Sequence, residues 1–195
     1  MKLNWPRPKS QLKDVLYNQN ADGPETAYWV FSELNQTKTD KWRDMTVVAP
    51  GLYGKEYCKT YGHYNLANTT EIYNLVSGEG VMLMQKKHIE NGVWIPEMVD
   101  EFFLVNLSLG DELIIASEYA HSLSNLGSKP LITFDDWQYG HTEADYKEIK
   151  ALQGMAFYLL NENGLKIVPN PRYKNLPTPK IVTVKEFANL TALTQ

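Results

Sequence analysis

Possible metal ligands lie in two short segments that are well separated along the chain. The first segment holds His63, Asn65 and Glu71, and the second holds His121. Because side chains alternate between faces along a strand, His63 and Asn65 point the same way if their segment is extended. Imidazole and carboxylate ligands with positions left open suit a first-row divalent metal that polarises a small substrate. The sequence therefore predicts a metal site where these side chains converge.

Composition restricts the class of protein. With 195 residues, the chain is long enough for one substantial domain and leaves little room for a second. Hydrophobic residues make up 43% and charged residues 22%, which are ordinary proportions for a soluble globular protein. The net charge of −4, without a run of Lys and Arg, gives no reason to expect nucleic-acid binding.

Residue usage also predicts the compartment. Cys58 is the only cysteine and cannot form an internal disulfide, which favours a reducing interior. Residues 1–8 lack the apolar run of a signal peptide, and no segment has the roughly 20 apolar residues of a membrane helix. We therefore expect a soluble cytoplasmic protein that does not interact with membranes.

Short extended segments follow one another between Thr26 and about Trp137. The sequence Glu90-Asn91-Gly92 predicts a hairpin, because Asn-Gly is a strong signal for a two-residue turn. Many short strands at close spacing predict an antiparallel sandwich or barrel, whose interior can hold a small ligand. The predicted strands span residues 27–34, 45–49, 56–59, 72–76, 81–86, 92–96, 101–107, 112–116, 121–125 and 131–135.

Short helices are predicted on both sides of the strands. Ser10 is the expected N-cap of one, Thr142 begins another that runs to about residue 152, and Thr183 with Glu186 has the spacing of a capping box. A further hairpin is expected at residues 162–164. The whole chain, 1–195, is predicted to be a single domain with an N-terminal arm (1–25), a barrel (about 26–137) and a C-terminal helix, hairpin and wrap (138–195).

Both ligand segments are similar to conserved motifs of the cupins, which are double-stranded β-helix or jelly-roll barrels. In the first motif, His63, Glu71 and Gly78 match, and Asn65 stands where a second His is expected. In the second, the residues at the motif spacing are Gly110, Ala116, Glu118, His121 and Asn125, with Ala116 and Glu118 replacing the usual Pro and Gly.

A longer stretch resembles one family within the cupins, the archaeal-type glucose-6-phosphate isomerases. The run from Thr46 to Tyr64 carries this resemblance, and its core Thr60-Tyr61-Gly62-His63-Tyr64 is specific. The resemblance extends from about residue 45 to Tyr146. The chain departs from the family pattern at Asn65, and it has one residue fewer between Asn65 and Glu71.

The resemblance implies a homodimeric enzyme that interconverts glucose 6-phosphate and fructose 6-phosphate with a bound divalent metal, such as iron, manganese or zinc. The implied metal ligands are His63, Glu71 and His121, with Asn65 at the fourth position. The implied phosphate contacts are Thr46, Thr60, Gly62 and Tyr28. His141 and Tyr73 fall at positions that lie near the sugar in the family.

These residue types suit aldose–ketose isomerisation, which moves a hydrogen between two adjacent carbons. Glu71 is the candidate base that shuttles the proton through an enediol, while the metal holds O1 and O2. An unperturbed imidazole has a pKa near neutrality, which suits His141 to ring opening or protonation of a sugar oxygen. Thr46, Thr60 and Gly62 can present neutral donors to a phosphate.

Two other functions stay open. One is a non-catalytic cupin that binds a sugar phosphate or a related metabolite. Its metal site would be weakened at Asn65, because an amide oxygen is a weaker ligand than imidazole for iron or zinc. The other is a cupin dioxygenase or an epimerase. It is the less favoured, because it does not explain why the residues from Thr46 to His63 resemble the isomerase family. His141 also has an alternative role as a loop residue that caps the following helix.

Overall fold

Strands dominate the computed structural model, which describes residues 1–34 and 41–192. Residues 35–40, inside the predicted barrel, and 193–195, at the predicted C-terminal wrap, lie outside the described part. The helices are α1 (Lys9–Leu12), α2 (Glu143–Ala151) and α3 (Val184–Ala192), with a 3-10 turn at Lys13–Val15. The strands are β1 (Lys2–Pro8), β2 (Thr26–Ser32), β3 (Asp44–Val48), β4 (Leu52–Tyr53), β5 (Glu56–Tyr57), β6 (His63–Tyr64), β7 (Thr70–Ser77), β8 (Gly80–Glu90), β9 (Val93–Asn106), β10 (Glu112–Ala116), β11 (Tyr119–Asn125), β12 (Leu131–Asp135), β13 (Phe157–Asn161), β14 (Leu165–Pro169) and β15 (Lys180–Thr183).

Two large sheets form the barrel. One has the strand order β1-β2-β3-β12-β7-β10, and the other has the order β15-β9-β8-β11-β6. Glu71 on β7 and His121 on β11 belong to different sheets, yet their side chains lie 3.3 Å apart, so the two sheets face each other. The predicted mainly β barrel with short flanking helices is confirmed. The division of the chain into a single domain stays a prediction.

Side chains alternate between the two faces of each strand, and this alternation determines which of them point into the barrel. On β7, Glu71, Tyr73 and Leu75 are buried, while the residues between them are more exposed. The same pattern on β12 buries Thr133 and Asp135. Because the side-chain period of a strand is two, one register places all of these groups inside the barrel.

The hairpin predicted at Glu90-Asn91-Gly92 is confirmed and joins β8 to β9. Asn91 and Gly92 both have positive φ, +52° and +76°, as the two central residues of a type I′ turn require. β9 runs unbroken from Val93 to Asn106, whereas two separate strands were predicted there. Register shifts opposite it, near Lys87, let this long hairpin curve around the core.

The two ends of the chain add strands that the sequence did not predict. β1 lies within the predicted N-terminal arm and pairs with β2 at the edge of the six-stranded sheet. Ser10 is not the N-cap of α1, because the helix begins at Lys9 and the Lys9 amide donates to the Glu25 carbonyl. β15 pairs in parallel with β9, inside the predicted wrap.

The two C-terminal helices begin as predicted. The Thr142 amide donates to the Asp145 carboxylate at 2.7 Å, and the Thr183 amide donates to the Glu186 carboxylate at 2.8 Å. Both are reciprocal capping boxes. α2 packs against β6 and places His141 and Tyr146 beside the barrel. No helix among the described residues has the length and apolarity needed to cross a membrane.

Candidate metal centre and substrate cavity

A cavity of about 60 Å³ inside the barrel brings the predicted site residues together. Of the predicted set, those lining it are Tyr28, Thr46, Thr60, Gly62, His63, Glu71, Tyr73, His121 and His141. The remaining one, Asn65, is buried and bonds to two of them. Tyr61, His141 and Tyr146 also line an outer cavity of about 1060 Å³, so the inner cavity adjoins a much larger open space.

Three potential metal ligands converge in the inner cavity. The ligand atoms of His63, Glu71 and His121 all lie within 4.8 Å of one another, and the three side chains are buried. The strand register explains the convergence, because His63 on β6 is directly opposite His121 on β11. Glu71 reaches the same point from β7 in the facing sheet.

Asn65 links two of these ligands through its amide. Its Oδ1 lies 3.1 Å from His63 Nε2, and its Nδ2 donates to Glu71 Oε2 at 2.7 Å. Glu71 Oε2 is also 3.3 Å from His121 Nε2. The side chains of His63 and Asn65 therefore point the same way, as the sequence predicted, although β6 ends at Tyr64, and the Asn65 oxygen lies beside the three ligands.

Burial sets the charge state of the imidazoles. It lowers the pKa of His63 well below its ordinary value and that of His121 to about 3, and the nearby His141 adds to both shifts. Both rings are therefore neutral at physiological pH, which is the form that binds a metal. The close contact between His121 and Glu71 is accordingly not an ion pair at that pH.

Two buried carboxyl groups in this region lack a cationic partner. Glu71 and Asp135 are 1% and 4% exposed, and within the described ranges neither forms an ion pair with a Lys or Arg. Burial, followed by neighbouring carboxyl charges, raises the pKa of Asp135, and burial likewise raises that of Glu71. A divalent cation would reverse this electrostatic penalty. The donor set of two neutral imidazoles and a carboxylate therefore fits such an ion.

Hydroxyl and amide groups line another side of the cavity. Thr60 Oγ1 accepts a hydrogen bond from the Leu123 amide at 2.9 Å, which leaves its own hydroxyl hydrogen able to donate. Gly62 has φ +83°, and a Cβ there would lie only 3.3 Å from Met155 and Ser122 side-chain atoms. The backbone at this position therefore requires glycine, and it passes beside the cavity without a side chain.

His141 faces the cavity rather than capping α2. Its ring lies 4.1 Å from that of His63, centroid to centroid, and stacks on Trp137 at 5.4 Å with an interplanar angle of 6°. Because Thr142 and Asp145 form the capping box, the imidazole is not needed for that role. Burial lowers its pKa, which the carboxylate of Asp145 partly offsets.

Several cavity residues escaped the sequence analysis. Asp44 and Asp135 line the cavity and are register partners on β3 and β12, and counting the strand period of two from the apolar Leu131 could have placed Asp135 on the inner face. Tyr146 belonged to the family resemblance but had no assigned role. No sequence pattern indicated Arg7, because residues 1–25 were predicted to be an N-terminal arm outside the barrel.

Comparisons with known proteins identify the family. The sequence profile of the glucose-6-phosphate isomerase (GPI) family matches residues 13–175. Relatives named glucose-6-phosphate isomerase from Thermococcus onnurineus and Thermococcus kodakarensis are 33% and 30% identical over 168 residues. In both cases the match spans 84% of this chain and 81% of the relative.

Solved structures give only distant similarity. A predicted oxalate decarboxylase from Thermotoga maritima is 20% identical with a TM-score of 0.36, covering 55% of this chain and 76% of that one. A cupin domain of a transcriptional regulator from Enterobacter cloacae is 18% identical with a TM-score of 0.36, covering 59% and 99%. The family assignment rests instead on the sequence match, which spans most of the chain, and it shows that this protein belongs to the glucose-6-phosphate isomerase family.

Proposed function

We propose that this enzyme interconverts glucose 6-phosphate and fructose 6-phosphate and depends on a divalent metal held by His63, Glu71 and His121. One observation carries the proposal: two neutral imidazoles and a carboxylate converge within 4.8 Å in a buried cavity of a chain from this family. Iron, manganese and zinc are all compatible with these donors, and Asn65 Oδ1 is available as a fourth.

The metal has a defined chemical task. When bound at these three side chains, a divalent ion supplies positive charge that stabilises the negative charge developing on O1 and O2 of the sugar. The chain itself then has to take and return the carbon-bound proton, hold the phosphate and exclude water. The buried walls of the inner cavity serve the last of these requirements.

Glu71 is the proposed base. In the ketose-to-aldose direction it takes a proton from C1, a proton passes from O1 to O2 through the enediol, and Glu71 returns its proton to C2, so that C1 becomes the aldehyde carbon. Its carboxylate is held by Asn65 Nδ2, and the Tyr73 hydroxyl also hydrogen-bonds to it. These two bonds lower the pKa of Glu71 against the larger rise that burial causes, and they fix the orientation of the base.

His141 is proposed to exchange protons with sugar oxygens during ring opening. It lies at the boundary between the inner and outer cavities, where a substrate would enter. The phosphate is assigned to Thr46, Thr60, Gly62 and Tyr28, which line the inner cavity and offer hydroxyl and backbone donors.

A second candidate is a protein that binds the sugar phosphate without converting it. The observation that favours it is the Asn65 amide, which forms hydrogen bonds with both His63 and Glu71. If these bonds persist, both ligands are engaged within the protein, and metal binding must break them.

Incubation of manganese-loaded protein with fructose 6-phosphate distinguishes the two candidates. We expect glucose 6-phosphate to form, as followed by NMR, and unphosphorylated fructose to react far more slowly because it lacks the phosphate anchor. Calorimetric binding of fructose 6-phosphate without any product would instead support the second candidate. We further propose that the protein is a cytoplasmic homodimer, which sedimentation analysis tests for its oligomeric state.

A further inference from the structure

Arg7 is held against one wall of the inner cavity by the edge strand β1. It is the register partner of Tyr28 on β2, and its Nε donates to the Tyr28 hydroxyl at 3.1 Å. The Arg7 Cζ lies 5.5 Å from the ring centroids of both Tyr61 and Tyr146. All three tyrosines line the inner cavity, so the guanidinium is fixed directly behind this aromatic wall.

The same hydroxyl links Arg7 to the proposed phosphate contacts. Tyr28 also receives a hydrogen bond from the Tyr61 backbone, which lies between Thr60 and Gly62 in the chain. The guanidinium therefore lies at the end of the cavity that presents hydroxyl and backbone donors. Its positive charge also lowers the pKa of His63, though less than burial and the neighbouring imidazoles do.

Arg7 has no carboxylate partner in the part of the chain that the structure describes. Among residues 1–34 and 41–192, no Asp or Glu oxygen lies within ion-pairing distance of its guanidinium. Apart from Tyr28, its hydrogen-bond partner is Gln11, at a long 3.4 Å from Nη1. A half-buried guanidinium carries five N–H donors in a planar fork that matches phosphate geometry. Most of that capacity is left available for an anion.

The sizes of the two cavities place an anion near Arg7. The inner cavity of about 60 Å³ is far smaller in this structure than the roughly 300–1,000 Å³ typical of small-molecule sites, so a bound sugar phosphate extends beyond it. One end must reach the boundary with the outer cavity, where Tyr61 and Tyr146 line both cavities and Arg7 lines the outer one. The sugar end must remain near His63, Glu71 and His121, so the phosphate is the end at this boundary, within reach of Thr60 and Gly62 on the inner side and of Arg7 on the outer side.

We propose that Arg7 is the cationic member of the phosphate site, a specificity-determining residue that donates to the phosphate alongside Thr60 and the Tyr61–Gly62 backbone. The inference rests on the proposed function for the identity of the substrate. It goes beyond the family assignment, since Arg7 precedes the matched residues 13–175. It also supplies the positive charge that a cradle of hydroxyl and amide donors lacks.

Calorimetry with inorganic phosphate and with fructose 6-phosphate tests this role without requiring turnover. Replacing Arg7 by Gln should raise the Kd of both ligands by about tenfold or more, the effect of losing a charge-assisted hydrogen bond. The Kd values of Arg7→Lys should lie between those of Arg7→Gln and those of the wild type, because lysine keeps the charge but lacks the planar fork of donors of the guanidinium. Lys2→Gln removes the same charge from the exposed end of β1 and should leave both Kd values unchanged.

A second measurement uses the unaltered protein, in case Arg7→Gln fails to fold. Inorganic phosphate should protect Arg7 from modification by phenylglyoxal, as read by mass spectrometry of its peptide, while the exposed Arg172 reacts as before. Phosphate binding that protects Arg7, in a protein that does not convert fructose 6-phosphate, would keep this inference and reject the proposed function. An unprotected Arg7, or equal affinities in wild type and Arg7→Gln, would overturn the inference even if isomerisation is observed.

Discussion

Asn65 is the residue at which this chain departs most clearly from the ligand pattern its family resemblance implies. Its side chain lies against His63 and Glu71, within hydrogen-bonding distance of both. Replacing Asn65 by His should add a third imidazole to the site and raise affinity for iron or zinc, because imidazole suits these metals better than an amide oxygen. Manganese should gain less.

Competition titration with a metal-binding dye measures the change. Asn65→Gln is the matched control, since it keeps the amide and adds no imidazole. Unchanged affinity in Asn65→His would mean that residue 65 does not point at the metal, which would strengthen the candidate function of binding without catalysis.

Glu71 carries the proposed proton transfer. Glu71→Gln keeps the size of the side chain and an oxygen but removes the base, so kcat should fall by about 10²- to 10⁴-fold. Because the phosphate contacts are untouched, the affinity for fructose 6-phosphate should change far less than kcat. Steady-state kinetics of metal-loaded protein, with metal content measured in parallel, separates loss of the base from loss of the ion. Equal losses in kcat and in metal content would assign Glu71 a purely ligating role.

At this scale, sequence reasoning found the residues whose spacing is local. His63, Asn65 and Glu71 are close in the chain, and the strand period predicted that His63 and Asn65 point the same way, as their hydrogen bond shows. Asp44 and Arg7 were missed because their place beside the cavity follows from pairing between distant strands, β3 with β12 and β1 with β2. No local pattern records such a register.

At the scale of elements, a buried ion pair joins the N-terminal turn to the strand that leads into the site. Lys59 Nζ lies 2.6 Å from Glu56 Oε1 and donates to the Val15 carbonyl at 2.8 Å. The other Glu56 oxygen accepts a hydrogen bond from the Tyr17 amide. Thr60 follows immediately, so this pair helps to position the proposed phosphate contacts.

Removing one partner of this pair should be strongly destabilising. Lys59→Met leaves the buried Glu56 carboxyl without its cation, and the free energy of unfolding should fall by about 3–5 kcal/mol. Urea denaturation measures the loss. Lys55→Met is the control, because Lys55 forms an exposed pair with Glu162 that should contribute nothing measurable. Similar midpoints for the two variants would show that the buried pair has no special role.

Strands with clear alternation and hairpins with Asn-Gly turns were predictable, as β10, β12 and the β8–β9 hairpin show. β1 and β15 were not. β1 contains two prolines and β15 follows a proline-containing stretch, so neither has a sequence pattern typical of a strand. Each is held by pairing at a sheet edge, a tertiary contact that the local sequence does not encode.

In the molecule as a whole, the reactivity of the Cys58 thiol measures whether the barrel core opens to solvent. The thiol is fully buried and hydrogen-bonds to the Ala27 carbonyl, and burial raises its pKa to about 12. At pH 8 the thiol is therefore neutral, and a thiol-reactive dye should not label the native protein. Full labelling should appear only after unfolding in denaturant. Rapid labelling of the folded protein would show that the core opens at Cys58.

Activity of the whole enzyme should depend on the bound metal, and removing and restoring the ion measures this dependence. Protein stripped with a chelator and freed of it by dialysis is assayed for conversion of fructose 6-phosphate, before and after addition of manganese or iron(II). We expect no conversion by the stripped protein, recovery on adding metal, and no recovery in a folded His121→Ala variant. Full activity of protein shown by elemental analysis to be free of metal would contradict it.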